Sequence, residues 1–161
     1  MTDNEYADIM MTEAYSVKQA PAEALQRLRA ARDKVATLRA RACSIGAVRY
    51  DRDRVQSSHT HDLSDDMCAI DDAAEAAWLA YIEYLAMCSS LRLCCMAAGF
   101  GATQTSIWMM YYAYGHSMGS IALLTGRTKS QVQYLLTGVR PERDFCLGIN
   151  AIAESGEIYG S

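Results

Sequence analysis

Apolar residues recur at spacings of three and four along two long stretches of this chain, and this periodicity constrains the fold more than any other feature. The first series is Ala24, Leu28, Ala31, Val35, Leu38, Ala42 and Ile45. The second is Met67, Ile70, Ala74, Ala77, Tyr81, Tyr84, Cys88, Leu91, Cys95 and Ala98. Such spacing puts one apolar stripe along an α-helix and is typical of coiled-coil packing. With only two prolines and no segment that resembles a strand, the sequence predicts an all-α fold.

Helix boundaries follow from the residues that interrupt these series. A short first helix is predicted over residues 5–18, ending before Pro21, because the residue that precedes a proline is pushed out of helical geometry. Pro21 then opens the second helix, and residues 46–61, which lack a period, form a loop. Ser64, followed by two aspartates, begins the third helix, and Gly99-Phe-Gly-Ala ends it.

The two stripes are expected to pack on each other as a long antiparallel hairpin, or to meet copies from another subunit. Alanine recurs along both stripes, so an isolated helix pair would bury little apolar area. We therefore predict that the C-terminal helices or a second chain cover it, giving a homodimer or higher homo-oligomer. Residues 1–98 are predicted to form a helical arm and hairpin, and residues 99–161 a separate small helical domain.

Several classes of site find no support in the sequence. The six cysteines contain no C-x-x-C pair and are interpreted as buried thiols. His59, His61, Asp62 and Cys68 lack a recognised metal-ligand spacing. Asp71, Asp72 and Glu75 lie on the polar side of an alanine-rich helix. Neither a nucleophile elbow nor a phosphate-binding glycine loop occurs, so we expect no catalysis, metal or cofactor.

The location of the chain is expected to be the cytoplasm. The first residues lack the basic and apolar regions of a secretion signal. The uncharged stretch of residues 93–126 is interrupted by glycines and polar residues, and no piece of it reaches the roughly 20 apolar residues of a spanning helix.

Charge is distributed unevenly along the chain. Residues 17–54 carry ten Lys/Arg against four Asp/Glu, residues 55–106 carry one against seven, and residues 107–143 carry four against one. The basic and acidic segments are expected to lie side by side and cancel, and the alternative is that the basic arm also touches phosphate.

A short apolar helix is predicted over residues 107–114, buried in a small bundle and capped by Thr105 or Ser106. A ligand pocket lined by its aromatic side chains is the alternative interpretation.

Residues 117–138 have the spacing of a helix-turn-helix. Ser117 can cap a first helix, Ala122 allows close crossing, Gly126 takes the turn, and Thr128 caps a second helix. Ile121 is expected at the contact of the two helices, and Val132 and Leu135 point back inward.

The outer face of the second helix then carries polar side chains suited to the DNA major groove, namely Thr128, Lys129, Ser130, Gln133, Tyr134 and Thr137. Gln133 is the first choice for reading a base, because a glutamine amide pairs bidentately with adenine. Arg127, Arg140 and Arg143 flank the helix and are expected to meet phosphates. The alternative is an ordinary solvated helix face.

The stretch Tyr112-Ala-Tyr-Gly-His-Ser-Met-Gly-Ser-Ile-Ala122, with Gly126, Val132 and Leu135, resembles region four of sigma factors. The chain over about residues 5–140 resembles small phage and prophage sigma-like regulators of the ArpU/RinA type, which share a V-Q-S-S loop like Val55–Ser58. The resemblance implies control of phage transcription by binding double-stranded promoter DNA, with RNA polymerase as a further partner. This sequence departs from the pattern at residues 118–120 and at Tyr111.

Two other functions are compatible with the same residues. One is a DNA-recognition subunit for packaging, as in small terminase proteins, whose helical arms build a ring. The other is a protein-binding helical module in which the motif makes no DNA contact.

Overall fold

The structure, a computed structural model, describes the backbone of residues 3–48 and 63–155 and the side chains of residues 12–43 and 64–154. Throughout these ranges the regular structure is helical, which confirms the all-α prediction. The elements are α1 (Asp3–Val48), α2 (Leu63–Ala97), α3 (Ala102–Trp108), a π-helical segment (Met109–Ala113), α4 (Met118–Thr125), α5 (Lys129–Thr137) and α6 (Val139–Ser155). The V-Q-S-S segment, His59, His61 and Asp62 lie outside the described residues.

The chain divides into two compact units. One comprises residues 1–24 and 84–161, and the other residues 25–83. This division differs from the boundary predicted after residue 98, because Ala14 on α1 and Cys88 and Leu91 on α2 share a hydrophobic core with the C-terminal helices. Both long helices therefore contribute to both units.

Helix α1 continues without a break through Pro21, so the predicted end of a first helix before this residue is wrong. A proline inside a helix removes one hydrogen bond and crowds the preceding turn. Here Ala14, Lys18, Pro21 and Ala24 are all buried at helical spacing along one face of α1. The burial of this continuous face compensates for the missing hydrogen bond. If the helix ended at residue 20, Pro21 and Ala24 would no longer lie on the same face as Ala14 and Lys18.

Trp108 lies at the centre of the first unit. Its side chain is completely buried, and its ring centroid lies 5.1 Å from that of Phe100, 5.1 Å from that of Tyr112 and 4.7 Å from that of Phe145. The indole Nε1–H donates a 2.8 Å hydrogen bond to the carbonyl of Leu135 on α5. The buried tryptophan therefore joins α3, α5 and α6 and satisfies its one polar group.

The predicted apolar helix around Trp108 is present, but it starts earlier and changes its pitch. Gly101 precedes the first turn of α3 without a side-chain cap, so the predicted cap at Thr105 or Ser106 is wrong. After Trp108 the helix widens, and the N–H of Tyr114 donates to the carbonyl of Met109 at 3.0 Å. In this π-helical turn the hydroxyl of Tyr84 on α2 donates a 3.0 Å bond to the carbonyl of Ala113.

A largely buried ion pair joins the first and last helices of this unit. The Nζ atom of Lys18 on α1 lies 2.6 Å from Oε2 of Glu142 on α6. The same ammonium lies 5.9 Å from the ring centroids of both Trp108 and Tyr112. Burial and the nearby Glu142 carboxylate raise the pKa of the Tyr112 hydroxyl, so this ring stays neutral beside the ion pair.

The second unit has a thinner core. Leu28 and Ile70 of the two predicted stripes are buried, and so is Ala73, which lies outside them. The other described stripe positions in this unit are half-buried, except for Met67 and Tyr81, which are exposed. Arg27 on α1 and Glu83 on α2 form a 2.7 Å ion pair at the surface of this unit. The expectation that alanine-rich stripes bury little apolar area therefore agrees with the exposure of these residues.

Helix α2 also has an apolar composition. Among the described residues, Ser64–Ala97 is the one helix long and apolar enough to cross a membrane by these two criteria, and 22% of its most apolar window is buried. The long uncharged stretch of residues 93–126 does not form one helix. It is divided among α2, α3, the π-helical segment and α4. By itself such a composition is equally typical of a helix that packs against protein.

The cysteines differ in their surroundings. Cys88, Cys94 and Cys95 are buried, as predicted, but Cys43 and Cys68 are exposed, so the interpretation of all six as buried thiols is wrong for these two. Burial raises the pKa of Cys94 to about 11 and that of Cys95 to about 12. Cys146 is half-buried, and its pKa is also raised by burial.

These surroundings predict how the thiols react. With Ellman's reagent at pH 8, Cys43 and Cys68 should react rapidly in the folded protein, because the reactive species is an accessible thiolate. Cys146 should react slowly, and Cys88, Cys94 and Cys95 only after denaturation. Time-resolved absorbance on the native and the denatured chain measures this, and rapid loss of more than two thiols would contradict the structure.

Gly148 on α6 packs closely against the end of α2. A Cβ at this position would lie 2.6 Å from the backbone nitrogen of Ala98 and 2.8 Å from the carbonyl oxygen of Cys94. Gly148→Ala should therefore lower the free energy of unfolding by about 1–3 kcal/mol, the usual cost of overpacking a core, as measured by urea denaturation. The matched control is Gly119→Ala in α4, where the nearest atom would lie 3.9 Å away. The control should be neutral or slightly stabilising, and equal losses in both variants would contradict this explanation.

Candidate functional site

Helix α4 begins at a residue whose side chain closes the first turn. Ser117 has an extended backbone, and its hydroxyl oxygen accepts a hydrogen bond from the N–H of Ser120 at 3.2 Å. This confirms the cap that the sequence predicts at Ser117. Gly115, at φ 73°, turns the chain between the π-helical segment and this cap.

Gly126 ends α4 in the left-handed conformation, with φ 65° and ψ 24°. Its own N–H and that of Arg127 both donate to the carbonyl of Ala122, the latter at 3.1 Å. Such a pattern is the usual way in which a glycine closes a helix C-terminus. The turn that the sequence assigns to Gly126 is therefore present, and α5 starts three residues later.

Helix α5 begins with a complete capping box. The hydroxyl oxygen of Thr128 accepts from the N–H of Gln131 at 3.2 Å, and the side-chain oxygen of Gln131 accepts from the N–H of Thr128 at 3.0 Å. Sequence analysis identified the cap at Thr128 but missed the role of Gln131. The T-x-x-Q signature was sufficient to find it.

The inward face of α5 is formed by Val132 and Leu136, both completely buried. The sequence predicted Val132 and Leu135. Leu135 is only half-buried, although its backbone carbonyl receives the indole N–H of Trp108. Leu135 packs against the core at the border of this face, and Leu136 is an additional inward residue, because residues four apart share a face of an α-helix more closely than residues three apart.

The outer face of α5 is exposed to solvent along its length. Every residue predicted to contact DNA has an exposed side chain: Arg127, Thr128, Lys129, Ser130, Gln133, Tyr134, Thr137 and Arg140. Because Gln131 is occupied in the capping box, Gln133 is the glutamine of α5 whose amide makes no hydrogen bond within the described part of the chain. The outer face of α5 carries one amide (Gln133), one ammonium (Lys129), one phenol (Tyr134) and three hydroxyls (Thr128, Ser130 and Thr137). Residues 118–137 contain no acidic residue.

The flanking arginines are exposed, and both lie near one carboxylate at the surface. Nε of Arg140 and Nη2 of Arg143 each lie 3.8 Å from a carboxylate oxygen of Asp144. Asp144 directly follows the segment of residues 107–143, which has four basic residues and one acidic residue. Residues 107–144 therefore carry four basic and two acidic residues. The positive charge nearest to α5 therefore comes mainly from Arg127 and Lys129.

A shallow groove runs beside α5. Its lining includes Arg127, Ser130, Gln131, Tyr134 and Leu135. Tyr134 is 61% exposed and forms the wall of this groove. A flat aromatic ring beside an arginine and a hydroxyl is suited to contact with a sugar or a base edge as much as with a protein side chain.

Residues considered for other chemistry are not brought together. Within residues 3–48 and 63–155, no group of three His, Cys, Asp or Glu side chains could hold a metal ion. Asp71, Asp72 and Glu75 are all exposed on α2.

The turn between α4 and α5 can be tested without disturbing the core. An added Cβ at Gly126 meets no atom within 4 Å, so the cost of Gly126→Ala comes only from the positive φ. We expect a loss of roughly 1 kcal/mol in the free energy of unfolding for alanine, and a smaller loss for Gly126→Asn, because asparagine tolerates this conformation. Urea denaturation of both variants checks the order, and asparagine at least as destabilising as alanine would contradict it.

In comparisons with known proteins, no family model, curated protein or solved structure matches the chain.

Proposed function

We propose that this chain is a sequence-specific DNA-binding regulator of phage or prophage transcription, in which α4 and α5 act as a helix-turn-helix and α5 enters the major groove. The observation that carries the proposal is the unit formed by the Ser117 cap, the left-handed Gly126 and the Thr128 capping box, which presents a fully exposed polar face. The proposal also rests on the resemblance of residues 112–135 to region four of sigma factors.

Gln133 is proposed as the base-reading residue. It lies in the second turn of α5, beside Lys129 and Ser130 and on the exposed side of the helix. In known helix-turn-helix complexes the first turns of the second helix face the base edges. A glutamine there donates to and accepts from adenine, whereas Lys129 and Arg127 reach phosphates or guanine.

The low charge of this face has a consequence for affinity. Arg127 and Lys129 neutralise few phosphates, so a single copy would bind weakly and with a small salt dependence. Two copies would double the number of neutralised phosphates and the salt dependence of binding. We therefore propose that a cytoplasmic homodimer binds two half-sites, with its α1 and α2 segments arranged as helical hairpins.

A second candidate function is a protein-binding helical module. Leu123 and Leu124 on α4 are 87% and 63% exposed, which is unusual for large apolar side chains on so short a helix. They provide an apolar contact for a protein partner, and RNA polymerase is one such partner in the proposed regulator. A packaging subunit of the small-terminase kind would instead assemble into ring-sized oligomers on DNA.

Selection of bound sequences from a random double-stranded DNA pool, followed by fluorescence anisotropy on the selected site, tests the regulator. Gln133→Ala should weaken binding by about 1–3 kcal/mol and relax the preference at one base pair. Lys129→Ala should weaken binding to all sequences and reduce the slope of log affinity against log salt by about one per copy bound.

The matched control is Gln26→Ala, which removes the same side chain from an exposed position on α1. It should leave affinity, sequence preference and salt slope unchanged. If the wild-type chain enriches no sequence at low salt, or if Gln133→Ala and Gln26→Ala bind alike, the regulator is refuted. Unchanged binding of a protein partner by the Lys129 and Gln133 variants would then favour the protein-binding module.

A further inference from the structure

An exposed apolar patch lies on α2 within the second unit. The patch consists of Trp78, Leu79, Tyr81 and Ile82, whose side chains are 62%, 58%, 40% and 47% exposed. The rings of Trp78 and Tyr81 lie against each other at 5.9 Å between centroids. Four large neighbouring side chains leave on the order of 400 Å² of apolar surface in water, at the size where patches on soluble chains are commonly functional.

The patch is separate from the helix face that packs within the unit. That face carries Ile70, Ala73 and Ala77, and Trp78 follows Ala77 by one residue, or about 100° around the helix. Helices in a four-helix bundle contact two neighbours on adjacent faces. Helix α2 therefore has one face turned toward its own unit and a second, more apolar face in solvent.

The charges of the same unit are separated by sign. Residues 25–43 on α1 carry six basic residues and one acidic residue, whereas residues 63–83 on α2 carry six acidic residues and no basic one. Arg27 and Glu83 neutralise each other. Two exposed sets remain without an ion pair among the described residues. Arg29, Arg32 and Arg39 lie along one side of α1 and form a basic face, and Asp65, Asp71, Asp72 and Glu75 lie along one side of α2 and form an acidic face.

We propose that the apolar patch is the contact between two copies of this chain, which meet about a two-fold axis with the acidic face of each copy against the basic face of the other. A surface with both signs on different faces is complementary to itself, and a two-fold axis makes both charged contacts at once. The apolar patch would form the centre of this interface and the charged faces its polar rim. The inference rests on the proposed function, which requires a dimer, and it identifies the residues at which the two copies meet.

Sedimentation velocity over a range of concentrations tests the interface. The wild-type chain should sediment at twice the mass of one chain. The double substitution Trp78→Ala with Ile82→Asp should raise the dissociation constant on the order of thirtyfold or more, as for residues at the centre of an interface. Leu147→Asp on α6 is the matched control, because Leu147 is equally exposed and lies in the first unit. It should leave the dimer intact, and circular dichroism should show the same helix content in all variants.

Charge reversal identifies the second copy as the partner. Arg29→Glu with Arg32→Glu removes the excess of positive charge from the basic face, and Asp71→Lys with Asp72→Lys removes the excess of negative charge from the acidic face. Each variant alone should dimerise weakly, because one of the two attracting faces has lost its charge. An equal mixture should restore a heterodimer, because the intact acidic face of one variant meets the intact basic face of the other and the introduced glutamates meet the introduced lysines. If both variants dimerise weakly and their mixture forms no heterodimer, the proposed contacts between the charged faces are wrong.

Other outcomes assign the patch elsewhere. A monomeric wild-type chain that floats with vesicles of phosphatidylcholine and phosphatidylglycerol would overturn the proposal in favour of a membrane surface. A dimer that survives Trp78→Ala with Ile82→Asp would place the interface on another face. DNA binding is measured separately: a monomer that still selects a DNA sequence overturns this interface alone, and a dimer that selects none overturns the regulator alone.

Discussion

The hydrogen bond from the indole of Trp108 to the carbonyl of Leu135 is the interaction on which the candidate site depends. It forms in a completely buried aromatic cluster, where an unpaired N–H would be costly. The bond fixes the last turns of α5 against α3, and the capping box fixes the first turn. Between these two points the outer face of α5 is exposed, and the helix that carries it is anchored to the core at one end and capped at the other.

Much of this site could be predicted from sequence because its determinants are local. Ser117, Gly126 and Thr128 act through their own backbone or the next three residues, and such effects do not depend on distant partners. The exposure of Gln133 follows from the same periodicity. Leu135 packs against the core at the border of the buried face, whereas the complete burial of Leu136, four residues after Val132, was not predicted.

The errors share a different cause, which is tertiary packing. Pro21 is a local signal for a helix end, but its burial beside Lys18 overrides that signal. The π-helical turn after Trp108 leaves no trace in the sequence, since it is set by how the aromatic cluster fits. Asp144 is an exception, because its pairing with Arg140 is a local contact between residues four apart on α6 that the sequence spacing could have predicted.

The pair of Lys18 and Glu142 ties the beginning of the chain to α6, and Ala14 and Leu91 lie in the same core as Val132. Helix α5 therefore does not form an independent unit with the C-terminal helices alone. A fragment that starts at residue 99 would lose the walls against which Trp108 and Phe145 are packed, and with them the rigidity of α5. Recombination that replaced only the last third of this chain would therefore disrupt the shared core, unless a matching N-terminal helix were exchanged as well.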